Sequence, residues 1–450
     1  MSPQARRRLL VWGGCAAVLV AAPLVFHKGF SLSLLCQMGI IIVFSLSYNM
    51  LLGQTGLLSF GHAVYYGMGA LITIHALNLV QHGWKFPVTL MPLVGGAAGL
   101  FFGVVFGYIT TRRAGTTFAM ISLGIGEMMA ACSLMFPGFF GGEAGISGNR
   151  SSGGAFLGIT YGPQIQMYYL VAAWLLLSTA AMYALSRTPL GRMANAVRDN
   201  PERAQFVGYD PQHVRFMMVA LSGFFAGIAG GLAALNYEIV TAESLSASTS
   251  GMVLLATYLG GIGFFAGPIA GAIVVTLMQT ALGSITNAWP FYFGAMFLAT
   301  VLFVPGGIAS VAVLHKRFWD AKLLRRVIAV YAALAVPAAL ALGLSVLLVE
   351  MAYNASDESR SAFRVLGYVI DTTATATWVA AISSTLAAIA ACGFTWRAVS
   401  ARWAEVGAAL AGERQPGPPR SSSRACRSAS APPRSCGAWT FAWSRASATH

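Results

Sequence analysis

Charge is what this sequence has least of: Asp, Glu, Lys and Arg make up 9% of its 450 residues, against the roughly 25% usual in a soluble domain. A water-soluble globular fold is therefore excluded as the main architecture. Acidic residues are scarcest, 14 against 28 Lys and Arg, for a formal net charge of +14. The basic residues sit in short clusters between apolar runs, with no aromatic-interleaved basic face, which argues against nucleic acid as a partner and for positive loops that orient a membrane protein. There is no Gly-Lys pair, so no GxxxxGK[ST] loop cradles nucleotide phosphates, and GxSxG, HExxH and EF-hand carboxylate arrays are missing too. Nothing here makes a case for an enzyme on this polypeptide or for a bound metal or cofactor. The six cysteines, Cys15, Cys36, Cys132, Cys392, Cys426 and Cys436, form no CxxC pair and no metal-ligand spacing.

What is present is apolar length. Hydrophobic residues make up 57% of the chain, and runs of the about 20 residues that a bilayer core requires recur almost end to end. They start near Leu9, Ser31, Leu57, Val88, Thr116, Met167, Val214, Gly251, Phe291, Val327 and Thr373. The fold class expected is all-α, a polytopic transmembrane helical bundle of about 10–12 spans with broken glycine-rich helices. No small-residue cleavage site follows the first run, Leu9 to Phe26, so it reads as an uncleaved span. Gly251 to Leu282 is too long for one simple helix and holds Gly260, Gly261, Gly263, Gly267 and Pro268, so it is expected in two pieces. Basic clusters at Arg6–Arg8, Arg112–Arg113, Arg187–Arg215, Lys316–Arg326 and Arg397–Arg402 are all expected to be cytoplasmic by the positive-inside rule, as are both termini, in a multi-pass protein of a bacterial inner (plasma) membrane. The Gly-, Ser- and Asn-rich loop Pro137–Gln166 then falls outside, as an ordinary connection or a docking surface.

Three stretches stand out. Gly53-Gln54-Thr55-Gly56-Leu57-Leu58-Ser59-Phe60-Gly61-His62-Ala63 puts glycines and polar groups where a helix would be entering lipid. Each unsatisfied backbone group in hydrocarbon costs several kcal/mol, so this stretch is expected inside protein, beside a solute path. Gln54, Thr55, Ser59 and His62 could offer hydrogen bonds there. Gly61 serves equally as a packing notch, and His62 as a satisfied histidine of the bundle. Glu127 is the strongest carboxylate candidate in the early spans. Second, Pro189 to Asp210 reads as two short helices between membrane spans, with Asn200-Pro201-Glu202 starting the second and Gly208 ending it. Third, Ala220-Leu221-Ser222-Gly223, Gly227 and Gly230 place small residues at helical spacing for a tight helix contact, and Tyr258-Leu259-Gly260-Gly261 with Gly267-Pro268 marks a helix break.

In that order, over about Leu35 to Gly307, these blocks resemble the permease subunits of branched-chain amino acid ATP-binding-cassette (ABC) importers, in which a Gly-Gln-x-x-x-x-Ser-x-Gly-His-Ala pattern recurs. The resemblance implies a substrate path near Gln54, Thr55, Ser59, Gly61, His62 and Glu127. It implies a loop, 187–213, that couples to the ATPase through Gly191, Arg192, Pro201, Glu202, Ala204 and Gly208. Gly227, Gly230, Gly260, Gly261, Gly267 and Pro268 would serve helix packing and breakage. The partners implied are a second permease subunit, two cytoplasmic ABC ATPase subunits that use ATP, and a periplasmic substrate-binding protein. An ion-coupled secondary transporter of amino acids is the competing class, since it too breaks glycine-rich helices but relies on buried carboxylates.

The organisation expected is a permease core over 1–314, an extension over 315–412 with two further spans, and a disordered tail over 413–450 rich in Arg, Ser, Ala and Pro. With GC-rich codons, the bases of Arg434–His450 read one register over resemble the opening strand region of the partner ATPases. The single codons of Trp439 and Trp443 fit that register. The tail is thus expected to overlap a downstream ATPase frame or to be a frameshifted fusion, which the gene sequence tests.

Overall fold

Backbone polar groups in hydrocarbon must be satisfied within their own segment, so apolar runs this long fold as helices. The computed structural model describes residues 3–152, 160–304, 306–320, 324–355, 362–365, 368–371 and 375–412. Its helices are α1 (Pro3–Val25), α2 (Gly29–Thr55), α3 (Ala63–Gln81), α4 (Met91–Thr110), α5 (Thr116–Met135), α6 (Pro137–Phe140), α7 (Gln164–Arg187), α8 (Pro189–Asp199), α9 (Pro201–Phe206), α10 (Pro211–Tyr237), α11 (Ala247–Gly260), α12 (Gly267–Leu277), α13 (Trp289–Phe303), α14 (Gly307–Asp320), α15 (Leu324–Ala355) and α16 (Thr375–Gly412). Eight helices among the described residues are long and apolar enough to cross a bilayer. The α13–α14 pair, bent by 51°, makes a ninth if taken as one span, and Leu10–Val25 and Gly267–Leu282 are shorter apolar helices. The all-α polytopic bundle read from the sequence is the architecture found. Two short antiparallel ribbons accompany it: β1 (Ile146–Ser147) with β2 (Ile239–Val240), and β3 (Ala362–Val365) with β4 (Tyr368–Asp371). The tail expected over 413–450 lies outside the described residues.

α10 is the central helix: 89% of its apolar window is buried, against 11% for α15 and 17% for α16. Its small residues explain this. A Cβ on Gly227 would overlap the Gly95 carbonyl of α4, one on Gly223 would press on the Gly99 carbonyl, and one on Gly230 would overlap the Tyr66 carbonyl of α3. Without side chains at these points the three backbones approach closely, which is how helices associate where lipid removes the hydrophobic drive. α11 and α12 form a helical hairpin, with Gly271 against Ala256 and Gly260 against Gly267.

Three of the basic clusters share one end of the bundle. Tyr108, near the end of α4, meets Phe216, near the start of α10, with ring centroids 6.4 Å apart. Trp12, early in α1, meets Tyr183, late in α7, at 5.8 Å. Arg6, Arg112–Arg113 and the α8–α9 segment are therefore at the same end. The bend between α13 and α14 is a departure from the single span expected from Phe291. It falls at Gly306–Gly307, where Gly307 has φ +68° and a Cβ would strike the backbone of Gly261.

Candidate functional site

The span expected to begin at Leu57 begins instead at Ala63, and residues 56–62 are an interruption between α2 and α3. Gly56, with φ +69°, ends α2 in the left-handed conformation, its N–H returning to Leu51 and Leu52. The interruption is closed by serines from other helices. Ser122 Oγ of α5 accepts from the Phe60 N–H at 3.1 Å, and Ser250 Oγ of α11 accepts from the Ala63 N–H at 2.9 Å. The Ser59 carbonyl accepts from Tyr48 Oη at 3.0 Å. A broken backbone at membrane depth needs such partners, and these come from three different helices.

His62 is completely buried, stacked on Phe44 at 5.5 Å and edge-on to Tyr48 and Tyr65. Its Nε2 lies 3.1 Å from Ser47 Oγ. Ser47 spends its single proton on the Phe44 carbonyl, at 2.7 Å, so Nε2 carries the imidazole proton and Nδ1 is left without a partner. Thr55 is buried and bonds its own helix at Leu51. A Cβ on Gly61 would overlap the Ser122 carbonyl. Thr55, Ser59, Gly61 and His62 thus face no opening in this conformation and form a packed joint. Gln54 differs: it is 8% exposed, its Oε1 has no partner, and it lines a cleft. Glu127 stands apart on the exposed face of α5, one residue from Gly126, which backs onto Gly61.

At the basic end, α8 starts with Pro189 behind the Thr188 cap, and α9 starts with Pro201 behind Asn200, whose side chain accepts from the Arg203 N–H at 2.9 Å. Gly191 is buried against Leu185 and Ser186, and Ala204 is buried; Arg192, Pro201 and Glu202 are exposed. Gly208 follows α9 at φ +93°, a conformation that glycine tolerates best. Phe206 and Val207, which the sequence reading passed over, are 89% and 74% exposed and stand as an apolar knob on this polar segment.

Arg198 was also passed over, and it joins the two regions. Its guanidinium donates to the Gly53 carbonyl at the end of α2 and pairs with Asp199 at 2.9 Å, while its stem covers Gly56. A cation on the last carbonyls of a helix suits the helix dipole. On its other side Gly53 meets the α11–α12 turn: a Cβ there would lie 2.7 Å from the Ile262 carbonyl. At that turn Gly261 has φ +110° and touches Gly306, and Pro268 is buried in the first turn of α12. At the opposite end Arg150 performs a comparable task. It is buried, and its guanidinium donates to the carbonyls of Leu235 and Asn236 at the end of α10, to those of Tyr161 and Gly162, and to Gln164 Oε1.

The sequence model of the family described as branched-chain amino acid transport system / permease component matches residues 30–305, well over half of the chain. The chain is 26% identical over 316 residues to the high-affinity branched-chain amino acid transport system permease protein LivM of Salmonella typhimurium, an alignment spanning 65% of this chain and 72% of that one. To LivM of Escherichia coli it is 25% identical over 311 residues, 64% and 72% of the two chains. It is also 27% identical over 308 residues, 63% and 90%, to the galactose/methyl galactoside import permease protein MglC of Salmonella typhimurium. No solved structure matches the chain. The interrupted helix, the glycine-packed centre and the paired short helices at the basic end all fall within the matched span, and the chain belongs to the branched-chain amino acid transport system permease family.

Proposed function

We propose that this chain is the pore subunit of an ABC importer that carries branched-chain amino acids into the cytoplasm. It would work with a second permease, two ATPases that hydrolyse ATP and an external binding protein, with the basic end of the bundle cytoplasmic. The observation that carries the reading is the Arg198 link between the α8–α9 segment and Gly53, immediately before the α2–α3 interruption. Closure of the ATPases on α9, around Pro201, Glu202, Ala204 and Gly208, moves α8. Arg198 then pulls on the end of α2, and the joint at Gln54–His62 opens to border the solute path. Gly191 keeps α8 tight against the end of α7, and Arg192 lies beside it, free to face the ATPase. The exposed Glu127 faces the second permease across that path. The glycines of α10 and of the α11–α12 turn, Gly227, Gly230, Gly260, Gly261 and Gly267 with Pro268, keep the moving parts in register.

The test is ATP-driven uptake of labelled leucine by proteoliposomes holding the whole complex, with Arg198→Ala compared to the unaltered chain. Uptake that requires ATP and collapses in a variant that still assembles supports the reading. Gradient-driven uptake indifferent to ATP would assign the chain to secondary transport. The likeness to MglC gives a second substrate class, so galactose is run beside leucine in the same vesicles, and preference for the sugar would overturn the substrate assignment.

A further inference from the structure

Beneath the joint, at the basic end, lies a cleft of about 380 Å³, within the about 300–1,000 Å³ range of small-molecule sites. The ends of α2 and α7, with α8 and the α11–α12 turn, wall it, and its lining includes Asn49, Gln54, Arg187, Asn195, Arg198 and Gly263. Asn49 and Gln54 are 4% and 8% exposed, and the Oδ1 of one and the Oε1 of the other have no hydrogen-bond partner. A buried carbonyl oxygen left unpaired is costly, and both side chains that carry one belong to the lining of this cleft, where a small side-chain rotation would offer them to a donor from outside the chain. Arg187 lies over the Tyr183 ring and gives one bond to its hydroxyl at 2.7 Å, leaving further guanidinium donors.

The two halves of this lining want opposite things. A purely anionic ligand would suit the guanidinium groups and leave both amide oxygens unpaired, whereas a purely cationic one would face two arginines. A small zwitterion satisfies both, its carboxylate on Arg187 and its ammonium on the Asn49 and Gln54 oxygens. We propose that this cleft is a binding site for a free α-amino acid on the ATPase side, and that occupancy ties the end of α7 to the end of α2 so that accumulated product slows uptake. The regulatory half rests on the transport reading above; the site itself does not.

The experiment is equilibrium binding of labelled L-leucine to the purified complex of both permeases and both ATPases, without the binding protein. Saturable binding is expected, weakened roughly tenfold or more by Arg187→Gln and less by Arg187→Lys, the effect of losing one charge-assisted contact. Excess galactose or inorganic phosphate should not displace it. No saturable binding, binding unchanged in Arg187→Gln, or equal displacement by galactose or phosphate would overturn the site. Reconstituted with the binding protein, the same preparations report uptake with and without leucine on the ATPase side, as a ratio for each variant. Inhibition by that leucine in the unaltered chain, relieved by Arg187→Gln, is expected, and inhibition that persists in the variant contradicts the regulatory role. Uptake without cleft binding removes the site and keeps the transport reading; cleft binding without uptake does the reverse.

Discussion

At the scale of single residues, the pivotal position is one that carries no side chain. Gly53 has the Arg198 guanidinium on its carbonyl, the Ile262 carbonyl against its Cα and the Asn49 amide beside it. Gly53→Ala should lower stability by about 1–3 kcal/mol through overpacking. Gly124→Ala is the matched control, because a Cβ there meets nothing within 4 Å and a glycine-to-alanine change inside a helix gains about 0.5–1 kcal/mol. Thermal unfolding in detergent should therefore move in opposite directions for the two variants. Arg150 is the second such position. Arg150→Gln strips the fork from the end of α10 and should cost about 3 kcal/mol, and Arg150→Lys should rescue little, because one ammonium cannot span carbonyls on two segments. Equal melting of Arg150→Lys and the unaltered chain would contradict that account.

Among the elements, α9 is short, polar and held at its start by Asn200, yet it ends in the exposed Phe206 and Val207. Changing both to Asp should leave bundle stability within about 0.5 kcal/mol, as surface substitutions do, while the ATPase subunit no longer co-purifies. Retained co-purification would remove α9 from the interface. The elements were largely legible in the sequence because apolar length and glycine punctuation speak directly: the broken Gly251–Leu282 run and the two helices at Pro189 and Pro201 form, whereas the span expected from Leu57 starts only at Ala63. Three features were not. The α13–α14 bend has a breaker signal in Pro305-Gly306-Gly307, but the span-length pattern overrode it. Arg198 already satisfies the positive-inside rule as a loop residue, so nothing in the sequence marks its contact with a residue 145 positions earlier. The sealing of His62 depends on Phe44, Tyr48 and Tyr65 closing round it, a packing outcome that no motif reveals.

Across the whole molecule, the family match ends at residue 305, and α15 and α16 pack chiefly on each other. Their tie to the core among the described residues includes the bond from Tyr292 Oη to Glu350 at 2.8 Å. A chain ending at Asp320 should accordingly assemble with its partners and take up solute at a rate close to that of the full chain. Loss of assembly would show that the extension is a working part of the permease.

The serine closure of the α2–α3 interruption also bears on how the chain is made. Ser250, which satisfies the Ala63 N–H, lies 187 residues further along, so at about 5–20 residues per second it emerges roughly 10–40 s later. Until then the interruption has no partner there, and lipid offers none. The first spans are therefore expected to leave the insertion machinery late, and crosslinking of arrested nascent chains to that machinery should fall only once α11 has emerged.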